Sequence, residues 1–69
     1  MRPMEYIRRE VFHISQAAMA AIALVNQATV SRWESGDAEP SRDEMDRIRA
    51  EALIRGLKWR DSWFFEAAE

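Results

Sequence analysis

Four neighbouring residues have side chains that could contact the edges of nucleic-acid bases: Gln27, Ala28, Ser31 and Arg32. On a helix they would share one exposed side, since residues three and four apart are neighbours on the helix surface. Glutamine can form two hydrogen bonds with adenine, arginine can do the same with guanine, and the alanine methyl can contact the thymine methyl. The spacing therefore predicts a helix with these side chains on one outer face, from which they could contact base edges in a DNA major groove.

A second group of polar residues could bind the flanking phosphates. Ser15 and Gln16 begin a predicted helix, whose first backbone N–H groups have no partner within the helix and can bind an anion. Asn26 and Thr29 are polar donors at the start of the next helix, and Arg42 could reach the backbone or minor groove beyond it. Contacts of this kind position a protein on DNA without reading its sequence.

Capping residues and apolar periodicity divide the chain into helices that would hold these side chains. Asn26 and Ser41 are favourable N-caps, and Gly36 is a typical residue for ending a helix in the left-handed conformation. Four helices are predicted: Pro3 to about Phe12, Gln16 to about Ala23, Gln27 to Ser35, and Ser41 to about Gly56. A short fifth helix could follow, so we expect an all-α, compact four- to five-helix bundle. It forms a single domain over residues 1–69, in which residues 15–36 are two short helices joined by a tight turn.

Composition argues against several classes of function. The chain has 69 residues, no cysteine and one histidine, so neither a disulfide framework nor a zinc cluster is expected. No clustered carboxylates suggest catalysis, and we expect no enzyme activity, cofactor, metal or small-molecule ligand. No signal peptide and no run of about 18 apolar residues is present, which predicts a cytoplasmic protein without membrane association.

The charge balance does not by itself indicate a nucleic-acid partner. The net charge is -2 and the isoelectric point about 5.4. The distribution is uneven, because residues 1–36 are slightly basic and residues 37–69 are acidic. This pattern permits DNA binding but predicts weak non-specific affinity, since the phosphate contribution depends on clustered positive charge.

A set of residues between positions 15 and 41 follows a known pattern: Ser15-Gln16, Met19-Ala20, Ile22, Val25, Thr29-Val30-Ser31-Arg32-Trp33-Glu34, Gly36 and Pro40-Ser41. In these residues the chain resembles the Cro/phage-repressor (XRE) helix-turn-helix family. The resemblance implies a lambda-repressor-like DNA-binding domain, with helix 27–35 in the major groove and the preceding helix on the backbone. It also implies a structural ion pair between Arg9 in the first helix and Glu34 in the third.

Two residues depart from the family pattern, which usually has glycine at both positions. His13 lies at the exit of the first helix, and histidine tolerates the left-handed region better than most residues. Leu24 lies at the turn, where a positive φ would cost roughly 1 kcal/mol or more. We therefore expect that the second helix ends differently or that the turn is reshaped.

The C-terminal segment, residues 57–66, is rich in aromatic residues: Trp59, Trp63, Phe64 and Phe65. On a helix these side chains would face more than one direction, and a domain of this size could not easily bury all of them. They form either a lid that closes the core of the monomer or a symmetric dimer interface, because exposed apolar patches usually mark contact sites.

The function favoured by these observations is a sequence-specific transcription regulator that binds double-stranded DNA. Its simplest form is a small phage-like repressor, acting as a homodimer on a palindromic operator. The alternative is a protein-interaction module, such as an antitoxin-like or accessory protein, that holds a partner through the aromatic tail.

Overall fold

The structure, a computed structural model, describes residues 1–66 and contains no strand in that range. It begins with α1 (Pro3–Tyr6), which continues without a break into a π-helical turn (Ile7–Phe12). The remaining helices are α2 (Gln16–Ala23), α3 (Gln27–Ser35), α4 (Arg42–Ile54) and a 3₁₀ turn (Asp61–Phe64). The predicted all-α fold is confirmed. No helix among these residues has the length and apolar character needed to cross a bilayer.

Side-chain caps start α2, α3 and α4 at the predicted positions. The Ser15 hydroxyl accepts a hydrogen bond from the Ala18 N–H at 3.1 Å, and Asn26 Oδ1 accepts one from the Thr29 N–H at 2.9 Å. At α4, Ser41 and Glu44 form the reciprocal capping box. Each cap satisfies a backbone donor that the helix itself leaves unpaired, a contribution of about 1 kcal/mol.

The core takes one fully buried large side chain from each of the four main helical segments: Ile7, Met19, Val30 and Ile48. Burying side chains of this size contributes roughly 1.5–3 kcal/mol each. Alanines 20, 23 and 52 are also buried, and their small size lets α2 and α4 approach their neighbours closely. This core fixes α3 on the outside of the molecule, with one face against the other helices.

The π-helical turn changes which residue of the first helix faces α3. At its end the His13 N–H donates to the Arg8 carbonyl, five residues back, and His13 adopts φ 56°. A π turn holds one residue more than the corresponding α turn. The residue one turn before His13 is therefore Arg8. In an uninterrupted α-helix that residue would be Arg9.

The predicted ion pair between Arg9 and Glu34 is accordingly wrong, and Arg8 is the partner of Glu34. Arg8 Nε lies 2.5 Å from Glu34 Oε2, and Arg8 Nη2 donates to Oε1 at 3.0 Å. The third bond of Arg8, from Nη1, goes to the Ile14 carbonyl at 3.0 Å. Arg9 instead lies one turn after Glu5 on the outer face and pairs with it at 2.9 Å.

The Arg8–Glu34 pair is largely removed from solvent, with side-chain exposures of 15% and 10%. Its hydrogen bonds raise the pKa of the Arg8 guanidinium above the ordinary value, although burial acts in the opposite direction. A raised pKa means that the charged form is favoured in the folded state at every pH below the unfolded value. The stability that Arg8 gains from this interaction is therefore fully present below its unfolded pKa and is lost only as the pH rises through the raised value.

Leu24 adopts the left-handed conformation itself, with φ 61° and ψ 44°. The expectation of a different helix end or a reshaped turn is therefore wrong. The turn keeps the shape that glycine would favour, because the N–H groups of Leu24 and Val25 both donate to the Ala20 carbonyl. The end of α2 is also held by Arg47, whose Nε donates to the Ala23 carbonyl at 2.9 Å. The Leu24 side chain is 73% exposed, so burial does not offset the strain.

The C-terminal segment packs on the first helix and on α4 as a lid. Phe64 is only 7% exposed and belongs to the core, so of the two alternatives for the aromatic residues the lid describes this one. Trp59 and Trp63 are half-buried and stack edge to face at 5.5 Å. Trp63 also contacts Tyr6, with ring centroids 5.8 Å apart. Phe65 is 73% exposed.

One exposed carboxylate, Asp61, holds this segment to α4. Its Oδ1 accepts hydrogen bonds from Arg49 Nε at 2.8 Å and from the Trp59 indole N–H at 2.7 Å. These two bonds lower the pKa of Asp61. The stability that Asp61 contributes to the fold is therefore present when the pH is above the pKa of Asp61 in the unfolded chain. It is lost as the pH falls through the lower pKa of the folded state.

Replacing Leu24 by glycine should stabilise the protein by about 0.5–1 kcal/mol, because glycine adopts φ 61° without strain and no buried contact is lost. Urea unfolding followed by circular dichroism would measure the change. Leu24→Ala is the matched control, since it removes the side chain but keeps the strained Cβ. A stabilisation by alanine equal to that by glycine would show that strain is not the cause.

Arg8→Ala should destabilise the fold by about 2–3 kcal/mol, because Glu34 is left as a largely buried carboxylate without its cation. Arg9→Ala removes the same charge from an exposed pair and should change stability by no more than about 0.5 kcal/mol. The two free energies of unfolding, measured under identical conditions, compare the positions directly. A larger cost at Arg9 would contradict the pairing described above.

Candidate DNA-binding surface

The helix α3 presents the predicted base-contacting residues to solvent. Gln27 and Ala28 form its first turn, and Ser31 and Arg32 follow one turn later; all four are exposed. The opposite face of α3 carries Val30 and Trp33, which are 0% and 3% exposed and pack in the core. The core thus leaves α3 with a continuous polar outer face.

A row of hydrogen-bonded side chains fixes the first residue of that face. Gln27 Nε2 donates to Gln16 Oε1 at 3.4 Å, and Gln16 Nε2 donates to Glu34 Oε1 at 3.2 Å. Glu34 is in turn held by Arg8. The row therefore connects the first helix, through the start of α2, to the start of α3. The bond to Gln16 uses one amide hydrogen of Gln27, whose second hydrogen and carbonyl oxygen together match the two positions that adenine offers.

The cap of α3 organises a second group of side chains at the same end of the helix. Asn26 Oδ1 accepts from the Thr29 N–H and from the Thr29 hydroxyl, both at 2.9 Å. Arg32 Nη2 donates a hydrogen bond to Thr29 Oγ1 at 3.4 Å, and this bond holds the guanidinium along the outer face of α3. Thr29 would have to release Asn26 before its hydroxyl hydrogen could reach a phosphate. The Asn26 amide nitrogen is the better placed donor, because the cap uses only its oxygen.

The remaining predicted phosphate contacts lie at helix starts. Ser15 is exposed and its hydroxyl oxygen caps α2, beside the backbone N–H groups of the first turn. Gln16 contributes its side chain to the polar row, so its backbone N–H is the group left for an anion. Arg42 is exposed at the first position of α4, after the loop 37–41.

Arg2 is a residue of this surface that the sequence reasoning missed. Its guanidinium lies against Gly36, the residue that ends α3: a Cβ added to Gly36 would come within 2.5 Å of Arg2 Cζ. Glycine is required at position 36 by its φ of 86°, whereas the flexible end of the Arg2 side chain can move away from an added Cβ. A cation at the C-terminal end of a helix is favourable, because the last carbonyl groups carry partial negative charge. The only signal in the sequence was the glycine itself.

Few cations of the protein are available to this surface. At least four of the ten lysine and arginine residues are held in ion pairs: Arg8, Arg9, Arg49 and Arg55. Arg32 is exposed on α3 and Arg42 is exposed at the start of α4, and the exposed Arg2 lies beside Gly36 at the end of α3. The surface can thus make directed contacts but has little of the dense positive charge that binds any DNA.

Comparison with known proteins agrees with this geometry. A family model described as helix-turn-helix matches residues 6–51, about two thirds of the chain. The match begins within the first helix, includes α2, the turn and α3, and extends through most of α4. Searches of curated proteins and of solved structures found no significant match. On the matched residues, the chain belongs to the Cro/phage-repressor (XRE) type of helix-turn-helix proteins, a family of DNA-binding regulators.

Proposed function

We propose that the protein is a sequence-specific transcription regulator, in its simplest form a small phage-like repressor that binds a palindromic operator as a homodimer. The observation that carries the proposal is the polar row that ends at Gln27. Gln27 is exposed and is held through one amide hydrogen, so its second amide hydrogen and its carbonyl oxygen could make a two-bond contact with adenine. The regulator would act on chromosomal or phage DNA in the cytoplasm.

The outer face of α3 supports readout of more than one base pair. Arg32 could bond guanine O6 and N7, and each two-bond contact of this type discriminates by about 1–3 kcal/mol. Ala28 lies one turn before Arg32, and Ser31 one turn after Gln27, so the four residues form two adjacent rows on the helix. The rows would follow neighbouring base pairs in the groove.

Phosphate contacts would fix the register of this face. The first turn of α2, at Ser15 and Gln16, would donate backbone N–H groups to one phosphate. Asn26 and Arg42 would bind on the same strand or across the groove, and Thr29 would contribute after releasing its cap. Two copies of this small contact set, about 34 Å apart on a palindrome, would supply the affinity that one copy lacks.

The alternative function, a module that holds a protein partner through the aromatic tail, has less support. Phe64 is in the core, and the two tryptophans contact Tyr6, Phe12 and each other. Only Phe65 of the four aromatic residues is fully available to a partner within residues 1–66. We therefore favour the DNA-binding function.

Selection from random double-stranded oligonucleotides should recover a palindrome with the wild-type protein. Arg32→Ala should relax the preference at one base pair in each half-site, because the contact is with a base edge. Arg42→Ala removes the same charge from a predicted phosphate contact, and should weaken all sequences about equally and reduce the salt dependence of binding.

The selected sequences and the affinities at several salt concentrations test the proposal together. A wild-type protein that recovers no preferred sequence would refute it. Equal losses of preference from Arg32→Ala and Arg42→Ala would refute the assignment of base readout to α3.

A further inference from the structure

The turn before α3 contains a strained residue that neighbouring groups hold in place. Three residues, Leu24, Val25 and Asn26, separate the end of α2 from the first residue of α3, so they set the direction of α3 relative to α2. Leu24 has φ 61°, which is unfavourable for a residue with a Cβ, and its exposed side chain gains nothing from burial. Strain of this kind persists only where the surrounding structure opposes its relaxation.

The local movement that relieves this strain is a rotation of the peptide unit between Ala23 and Leu24. The unit is planar and therefore rotates as a whole, and the rotation carries φ of Leu24 out of the left-handed region. The same rotation turns the Ala23 carbonyl and the Leu24 N–H away from their present partners. A hydrogen bond to either group therefore resists the relaxation of the turn.

Both groups of this peptide unit are hydrogen-bonded. The Leu24 N–H donates to the Ala20 carbonyl within α2. The Ala23 carbonyl accepts from Arg47 Nε at 2.9 Å, and Arg47 lies 24 positions later in the chain, on α4. Ala23 is 0% exposed, so its carbonyl depends on a donor from the protein. The bond from Arg47 thus ties the turn to a helix outside the helix-turn-helix itself.

Arg47 is fixed in a position that suits this role. The adjacent Ile48 is fully buried and anchors α4 in the core, and α4 packs against α2. Within residues 1–66 the Arg47 side chain bonds only to Ala23, whereas Arg49 and Arg55 on the same helix form ion pairs with carboxylates. A cation at the C-terminal end of α2 is also favourable, because the last carbonyl groups of a helix carry partial negative charge.

We infer that Arg47 is a positioning residue for DNA readout and that it acts through the peptide unit between Ala23 and Leu24. Its bond keeps the strained turn in the shape that directs the first turn of α3, with Gln27, outward, and it needs no contact with DNA to do so. The inference rests on the proposed function in one respect, since α3 must read the bases. Without the bond the turn populates a second, relaxed form, and the affinity for DNA falls with the population of the competent form.

Two substitutions at position 47 separate the hydrogen bond from the charge. Arg47→Gln places its amide nitrogen where Nε was, so this variant keeps a donor and loses the charge. Arg47→Met has a similar length and no donor. Amide hydrogen exchange followed by NMR without DNA should be at least about fivefold faster at Leu24 and Val25 in Arg47→Met than in Arg47→Gln, after correction for global stability.

Arg49→Met is the matched control for this measurement. It removes the same charge from α4, at a residue whose ion pairs with Asp46 and Asp61 lie on the surface. Exchange at Leu24 and Val25 should therefore remain at the wild-type rate.

Affinity for the selected palindrome provides the second measurement. Arg47→Met should bind it at least about fivefold more weakly than Arg47→Gln, whereas the two variants, which have the same charge, should bind random DNA equally. In a chain that also carries Leu24→Gly, the difference should shrink below about twofold, because glycine at this φ has no strain to release. A residue that contributed only to stability would lower the free energy of unfolding without changing the affinity of the folded protein.

The inference would be overturned by equal exchange rates in Arg47→Met and Arg47→Gln, or by a difference that persists in full beside Leu24→Gly. Equal affinities of the two variants for a recovered palindrome would also overturn it, since the turn would then not govern readout. An Arg47→Met chain that does not fold would assign the bond to the fold and not to the position of α3, against the inference. A failed selection would refute the proposed function alone, because the exchange rates are measured without DNA.

Discussion

The position of α3 depends on the two-bond contact between Arg8 and Glu34. An arginine and a carboxylate with matched geometry give both energy and direction, which a single hydrogen bond does not. Because both groups are largely buried, removing either one would leave the other as an unpaired charge in the protein interior, which is unfavourable. Glu34 also accepts a bond from Gln16, so the same contact that docks α3 on the first helix determines where Gln27 is held. The packing of α3 and the position of Gln27 thus both depend on one charge pair.

That contact requires a particular shape of the first helix. Ile7 and Phe12 both face the core and lie five positions apart, one more than the spacing of four that brings residues onto one face of an α-helix. The π turn resolves the mismatch and at the same time aims Arg8 at Glu34. The aromatic segment also packs on the first helix, where Phe12 contacts Trp59 at 6.3 Å. In a chain of 69 residues, which buries only a modest share of its surface, such a lid adds core that the four main helices lack.

Much of the fold could be predicted because the residues that begin and end its helices act on groups only a few positions away in the sequence. Caps such as Ser15 and Asn26 bond to groups three positions away, so helix starts can be read from the sequence. Whether Arg8 or Arg9 pairs with Glu34 could not be predicted from the sequence. The answer depends on the extra residue of the π turn, which forms because of packing against residues far away in the sequence. The burial of Phe64 could not be predicted either, because it depends on which helices the C-terminal segment packs against. The outward face of α3 was predictable, whereas its base contacts remain a prediction.

The low positive charge of the surface bears on how a regulator of the proposed kind would find its site. Non-specific binding comes from phosphate contacts, and with few available cations it is weak. What governs occupancy of an operator is the ratio of specific to non-specific affinity, not the specific affinity alone. Holding Gln27 in advance removes part of the ordering cost of a flexible side chain, about 0.5–1.5 kcal/mol, and that gain applies only where adenine is present. A surface with few cations and a pre-arranged glutamine would therefore increase the ratio from both sides, and in the proposed dimer two copies would raise the specific affinity without adding charge.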